Sequence, residues 1–120
     1  ELRHLYRVEA VGFTTQVALY MDSADVLVSK PGGISITEAG TRGVPLLLAD
    51  MVGGCETRNQ EFFIAHGWAE SCPPEEMAAA ALKLLPDEKR RQDVVSAQRR
   101  DFDGLAAERI AEAVLARCGK

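Results

Sequence analysis

Residues able to hold a phosphorylated ligand are concentrated in the stretch VLVSKPGGISITEAGTRGVPLLLAD, residues 26–50. Gly32 and Gly33 separate an apolar run from a helical pattern, and neither carries a Cβ atom that would keep a ligand away from the backbone N–H groups. The first N–H groups of a helix have no partners within the helix, and the helix dipole places positive charge at the same end. The stretch therefore predicts an anion site, with phosphate as its natural occupant.

Three polar side chains follow the glycines. Ser35 and Thr37 are expected to add hydroxyl donors in the first helical turn. Glu38 is open to two interpretations, because a first-turn carboxylate favours the helix dipole but can also accept both hydroxyls of a ribose. The stretch matches neither the Walker loop nor the Gly-x-Gly-x-x-Gly fingerprint. From these residues alone, a capped turn between strand and helix and a nucleotide site both remain possible.

Short apolar runs alternate with helical patterns along the chain. The pattern predicts strands at 8–13, 26–29, 45–49 and 68–71, and helices at 15–23, 34–42, 57–66 and 73–85, followed by two further helical stretches. Gly43 and Gly67 are expected to end the helices that precede them. Apolar strands separated by single helices are typical of a parallel sheet with helices on both faces. The sequence therefore predicts one α/β unit over residues 1–120.

Two terminal segments carry separate predictions. The stretch AAERIAEAVLA, residues 106–116, has an amphipathic pattern that favours a helix with its apolar face on the core, and packing elsewhere is the alternative. The opening residues ELRHLYR resemble the end of a surface helix.

Composition excludes several classes of protein. A formal net charge of -4 argues against nucleic-acid binding, which requires a basic surface. The cysteines Cys55, Cys72 and Cys118 lack metal-ligand spacing and leave one unpaired, which favours a reducing, cytoplasmic setting. No apolar run approaches the ~20 residues that a transmembrane helix requires.

The segments GFT (12–14), MDSADVLVSKPGGISITEAGTRGVPLLL (21–48) and GGCETRNQEFFIAHGWA (53–69) resemble the C-terminal half of a GT-B glycosyltransferase group. That group holds the processive diacylglycerol glucosyltransferases and the monogalactosyldiacylglycerol synthases. The peptidoglycan lipid-intermediate N-acetylglucosaminyltransferase is a more distant relative. The resemblance implies a Rossmann-like, UDP-sugar-binding C-terminal domain that lacks its own first strands here, with the acceptor-binding domain absent.

The resemblance also assigns residues to the parts of a UDP-sugar. The donor-binding residues it implies are Phe13, Thr14 and Val17 beside the uracil, Gly32, Gly33 and Ser35 at the diphosphate, Glu38 at the ribose, and Glu56 and Asn59 at the hexose. Cys55 departs from the pattern, because relatives commonly have a glutamine that touches the sugar there. A thiol is a poor substitute in hydrogen bonding, so this departure leaves the identity of the sugar open.

The implied reaction is inverting transfer of a hexose from UDP to a diacylglycerol-type lipid. A metal-independent site without a cofactor is expected, because backbone N–H groups at a helix N-terminus can stabilise charge on a diphosphate without a metal ion. The general base is expected in the absent domain, and no catalytic residue is nominated in this chain. The resemblance further implies peripheral association with the cytoplasmic face of the membrane. The alternative is a non-catalytic donor-binding module that assembles with a separate acceptor-binding subunit.

Overall fold

A computed structural model describes residues 7–50 and 54–118. Its elements in chain order are α1 (Val17–Asp22), β1 (Leu27–Ser29), α2 (Gly33–Arg42), β2 (Leu46–Ala49), α3 (Cys55–Ala65), β3 (Glu70–Cys72), a 3₁₀ turn (Pro74–Glu76), α4 (Met77–Leu84), α5 (Glu88–Asp101) and α6 (Ala106–Cys118). The predicted strands at 26–29, 45–49 and 68–71 and all the predicted helices are present, with ends shifted by a few residues.

The strands in the described part of the chain form one parallel sheet in the order β1-β2-β3. Leu27 pairs with Leu46, and Leu47 pairs with Glu70. The central strand is buried on both faces, with Leu46, Leu47 and Leu48 exposing 0%, 1% and 0% of their surface. Burial on two faces explains why β2 is apolar at every position. The predicted parallel sheet flanked by helices is confirmed.

Helices cover the two faces of the sheet and create two apolar clusters. The larger cluster packs Leu46 and Leu48 against Ile36 of α2 and Phe63 of α3. On the other face Leu47 packs against Cys72 and Leu84, with partly buried residues of α4 around them. Each fully buried leucine or isoleucine contributes about 1.5–3 kcal/mol. The sheet therefore fixes where α2, α3 and α4 lie.

The end of α2 follows from a left-handed backbone. Gly43 has a φ of 70°, a conformation that side chains with a Cβ atom rarely adopt. The N–H of Gly43 donates to the Gly40 carbonyl and the N–H of Val44 donates to the Ala39 carbonyl, both at 3.1 Å. These bonds satisfy carbonyls at the helix end and turn the chain into β2. The predicted helix stop at Gly43 is confirmed.

A buried glutamine fastens α5 to the sheet. The Gln98 side chain is fully buried, and its Nε2 donates to the Val44 carbonyl at 3.0 Å and the Trp68 carbonyl at 2.8 Å. The Trp68 indole in turn donates through Nε1 to Asp101 Oδ2 at 2.8 Å. Hydrogen bonds from Arg100 and then Trp68 hold the pKa of the Asp101 carboxyl below its usual range. Gln98 on α5 thereby donates to the backbone carbonyls of Val44 and Trp68, which precede β2 and β3.

The predicted strand at 8–13 is wrong. Described residues 7–13 contain no strand, and Val8, Val11 and Phe13 are 43%, 47% and 98% exposed. An apolar run favours a strand only when a neighbouring strand can pair with its N–H and C=O groups. Here β1 pairs with β2, and no described strand pairs with residues 8–13.

The expectation that residues 106–116 pack on the core is also wrong. They form α6 as predicted, but Ile110, Val114 and Leu115 remain 65%, 54% and 70% exposed. The helix begins beyond Asp103, whose carboxylate accepts from the Leu105 N–H at 3.0 Å and pairs with Arg109. An amphipathic pattern shows which face of a helix needs cover, but no described residues cover that face here. Of the opening segment, residues 1–6 lie outside the described residues.

We expect Gln98→Ala to lower the free energy of unfolding by about 2–4 kcal/mol, because two buried carbonyls lose their donor and a cavity remains. Urea denaturation measures the loss. Gln92→Ala is the matched control, since Gln92 lies exposed on the same helix and should change stability by less than about 0.5 kcal/mol. Equal effects of the two substitutions would contradict the anchoring role.

A second prediction concerns how the stability of the fold depends on pH. Because the pKa of Asp101 is lower in the folded state, its carboxylate stabilises the fold at neutral pH, and this contribution is lost as pH falls below about 4. We expect Asp101→Asn to have a lower Tm than wild type at pH 7, with the difference shrinking on acidification toward about pH 3. Asp93→Asn, an exposed site on α5, is the control. A difference that is independent of pH would contradict this assignment.

Candidate functional site

The candidate site lies at the edge of the sheet where β1 and β2 end. In parallel strands the carboxyl ends meet at one edge, which is where ligands bind in open α/β sheets. Lys30 and Pro31 lead from β1 into α2, and Gly54 precedes α3 on the path from β2. Gly53, the first residue of the segment 53–69 that carries the family resemblance, lies outside the described residues. The N-terminal ends of α2 and α3 therefore lie at the same edge.

The beginning of α2 presents backbone donors without partners. The first helical hydrogen bond runs from the Ile36 N–H to the Gly32 carbonyl at 3.2 Å. Within residues 7–50 and 54–118, no hydrogen bond engages the N–H groups of Gly33, Ile34 or Ser35, and no side chain caps the helix. All three residues are exposed. These N–H groups are therefore available to donate to an anion, and the predicted phosphate site stays a prediction.

Neither the backbone conformation nor the neighbouring atoms require a glycine at position 32 or 33. Gly32 has a φ of -74°, and Gly33 is not among the positive-φ residues. A Cβ atom at Gly32 would lie 3.7 Å from Lys30 Cε, and one at Gly33 would lie 3.6 Å from Asn59 Nδ2, both ordinary contacts. Gly32 is the N-cap residue of α2, a position where glycine is well tolerated. Because neither glycine has a side chain, neither one covers the backbone N–H groups at this helix end.

Two residues of α3 contact the glycine loop. Asn59 Nδ2 donates to the Pro31 carbonyl at 3.1 Å. Glu56 Oε1 lies 2.7 Å from Lys30 Nζ, and this hydrogen bond, with the charge of Glu56, raises the pKa of Lys30. The structure thus brings Glu56 and Asn59 to the start of α2. Lys30, which follows β1, therefore has a carboxylate partner in the structure.

Glu38 lies in the second turn of α2, so the prediction of a first-turn carboxylate is wrong. The helix begins one residue earlier than expected, at Gly33. The carboxylate of Glu38 is 3.8 Å from Arg42 Nε, while Arg42 makes a closer pair with Asp22 at 2.7 Å. The side chain is 41% exposed. Ser35 and Glu38 are three residues apart, which places them on one face of the helix.

Thr37 also lies in the second turn, so the prediction of a first-turn hydroxyl donor is wrong for this residue. Its Oγ1 donates to the Gly33 carbonyl at 2.6 Å, a bond within the helix. Thr37 lines a separate groove with Asp101, Phe102 and Arg109, beside the start of α6. Of the two predicted hydroxyls, only that of Ser35 belongs to the first turn.

The residues predicted beside the uracil precede and begin α1. Phe13 is almost fully exposed, Thr14 Oγ1 accepts from the Gln16 N–H at 3.0 Å, and Val17 is the first residue of the helix. Helix α1 is joined to α2 through the Asp22–Arg42 pair. No hydrogen bond or ion pair within the described ranges links residues 13–17 to the start of α2. Their predicted contact with a base stays a prediction.

The cysteines have different surroundings. Cys55 begins α3 and is exposed, as is Cys118 on α6. Cys72 is buried, and burial raises the pKa of its thiol. The cysteine at the candidate site is therefore accessible.

Sequence reasoning missed a cavity of about 530 Å³ between α3 and β3. Asp50, which follows β2, lines it and accepts a hydrogen bond from Gln60 Nε2 at 2.5 Å. The available signal was the position of Asp50 at the carboxyl end of a buried strand. His66 is the C-cap residue of α3, and Trp68 is packed in the core.

Residues 7–50 and 54–118 contain no group of three or more His, Cys, Asp or Glu side chains placed to hold a metal ion. None of their helices is both long and apolar enough to cross a bilayer.

Comparison with known proteins connects this geometry to a family. Residues 2–101 match the family described as "Glycosyl transferases group 1". A processive diacylglycerol beta-glucosyltransferase of Bacillus pumilus is 33% identical over 95 residues, covering 78% of this chain and 25% of the relative. The Bacillus licheniformis protein of the same name is 34% identical over 89 residues, covering 73% and 23%.

A more distant relative of that name, from Staphylococcus aureus, is 26% identical over 106 residues, covering 88% of this chain and 27% of the relative. The chain thus spans about a quarter of the length of these curated relatives. No solved structure gives a significant match. The family match covers most of the chain, including both helix ends of the site, and the chain belongs to the glycosyl transferases group 1 family.

Proposed function

We propose that this chain supplies the UDP-sugar site of an enzyme that transfers a hexose to a diacylglycerol-type lipid. The observation that carries the proposal is the start of α2, where the exposed amides of Gly33, Ile34 and Ser35 have no hydrogen-bond partner among the described residues. Such a helix end suits a diphosphate. The lipid acceptor is suggested by the relatives' name, processive diacylglycerol beta-glucosyltransferase.

The proposed reaction is a direct displacement with inversion. An acceptor hydroxyl oxygen forms a bond to the anomeric carbon while the bond from that carbon to the β-phosphate oxygen breaks. The bonding electron pair leaves with UDP, and the hydroxyl proton passes to a general base. The amides of Gly33, Ile34 and Ser35 would stabilise the negative charge that builds on the leaving diphosphate. In this proposal the charge is met by preorganised dipoles, without a metal ion or cofactor.

The remaining parts of the enzyme are placed outside these 120 residues. The curated relatives are about four times as long as the segment matched here. We assign the acceptor site and the general base to that additional chain, and the protein to the cytoplasmic membrane surface, where a diacylglycerol-type acceptor would reside. Incubation of the full-length protein with labelled UDP-hexoses and diacylglycerol tests transfer, and a lack of labelled glycolipid with every donor would contradict the proposal.

The nucleotide site is tested by pairing Glu38→Ala with a change in the ligand. If the Glu38 carboxylate accepts from the ribose hydroxyls, wild-type protein should bind UDP about tenfold more tightly than 2′-deoxy-UDP. In Glu38→Ala this preference should largely disappear. Calorimetric titration of the full-length protein measures the four affinities.

Glu88→Ala is the matched control, because Glu88 lies exposed at the start of α5. The control should keep the wild-type preference for UDP. A preference that survives Glu38→Ala unchanged would exclude Glu38 from the ribose site. Undetectable UDP binding by the wild-type protein would reject the proposed function itself.

The hexose end of the site is tested through Cys55. We expect a UDP-hexose to slow alkylation of the exposed Cys55 thiol at least about threefold, because a sugar beside Glu56 and Asn59 would cover it. Peptide mapping by mass spectrometry gives the labelling rate of each cysteine. Cys118 is the internal control and should react at the same rate with and without ligand, while buried Cys72 should react only after unfolding. Equal slowing of Cys55 and Cys118 would contradict a local effect.

A further inference from the structure

The ion pair between Lys30 and Glu56 spans the entrance to the candidate site. The two residues are 26 positions apart in sequence, one after β1 and one in α3, and their charged atoms lie 2.7 Å apart. A Cβ atom at Gly32 would lie 3.7 Å from Lys30 Cε and 3.9 Å from Glu56 Oε1. Both side chains therefore border the space left by the first glycine, next to the free amides of α2.

The pair contributes little to holding the fold together. The Lys30 side chain is 67% exposed and that of Glu56 is 24% exposed, and exposed pairs of this kind stabilise by at most about 1 kcal/mol. The contact between α3 and the glycine loop is also made by Asn59, through the Pro31 carbonyl. Opening the Lys30–Glu56 pair would therefore leave the loop in place.

The two charges have opposite effects on an arriving diphosphate. The ammonium of Lys30 attracts it, and its long flexible stem lets Nζ move between neighbouring acceptors. The carboxylate of Glu56 repels it while it occupies that ammonium. Glu56 also lies in the first turn of α3, where the helix dipole stabilises a carboxylate without help from Lys30. Either charge can therefore take a new partner.

We propose that Lys30 exchanges partners when the donor binds, leaving Glu56 for a diphosphate oxygen and freeing the Glu56 carboxylate to accept from the hydroxyls of the hexose. This inference rests on the proposed function and adds Lys30 as a diphosphate-binding residue. It also gives Glu56 two successive roles, as the counter-ion of the empty site and as a sugar contact of the filled one. Only hydrogen bonds and ion pairs change in this step.

The first test removes the positive charge. In the full-length protein Lys30→Met should weaken UDP binding about tenfold, because a charge-assisted bond to the diphosphate is lost. Uridine binding, followed by ligand-observed NMR, should change less than about twofold, which shows that the site remains folded. Lys89→Met, at an exposed position in α5, is the matched control and should bind UDP like the wild type.

The second test asks whether removing the negative charge of Glu56 strengthens or weakens UDP binding. Glu56→Gln should strengthen UDP binding about threefold, because Lys30 no longer has to leave a carboxylate and a repelling charge is gone. The same substitution should reduce the additional affinity that a UDP-hexose has over UDP, because a sugar contact is weakened. A fixed structural pair would instead make Lys30→Met and Glu56→Gln weaken UDP binding alike.

The outcomes separate the inference from the proposed function. If wild type and Lys30→Met bind UDP equally, or if Glu56→Gln weakens UDP binding, partner exchange is overturned while UDP binding still supports the proposed function. If the wild-type protein binds no UDP, the proposed function fails and the inference fails with it.

Discussion

The need to cover β2 on both faces is the constraint from which the rest of the structure follows. Leu46, Leu47 and Leu48 are almost fully buried, so helices must lie on both sides of the strand. A helical crossover between parallel strands supplies this cover and returns the chain in the same direction. The carboxyl ends of β1 and β2 must then meet at one edge. The position of the candidate site is a consequence of burying three leucines.

The charges at that edge come from the ends of two helices and from two charged side chains. The N-terminal ends of α2 and α3 both contribute fixed positive potential, and the amides at the start of α2 have no partner among the described residues. Lys30 and Glu56 add a pair of side-chain charges, which stabilises the fold little because both side chains reach solvent. The proposed diphosphate site rests on these two sources of charge.

Polar contacts from α5 hold the opposite edge of the sheet, although Gln98 Oε1 is buried there with no partner among the described residues. Gln98 occupies the carbonyls beside β2 and β3, and the indole of Trp68 joins Asp101 on α5. These bonds lie among aromatic rings of the core, including an edge-to-face contact between Phe63 and Trp68. These contacts join α5 to the segments that enter β2 and β3.

The sequence by itself determined the parallel sheet, the end of α2 at Gly43 and the start of α2 just after the glycines. Local periodicity and backbone sterics fix these features. The sequence also predicted a strand at 8–13 and core packing for residues 106–116. Pairing and cover depend on neighbouring elements, and in the tertiary structure residues 8–13 form no strand and the apolar side chains of α6 are exposed. The turn in which Glu38 lies shifted because helix ends depend on local capping geometry. The Lys30–Glu56 contact came only from the fold, since parallel strands bring together residues that are far apart in the chain.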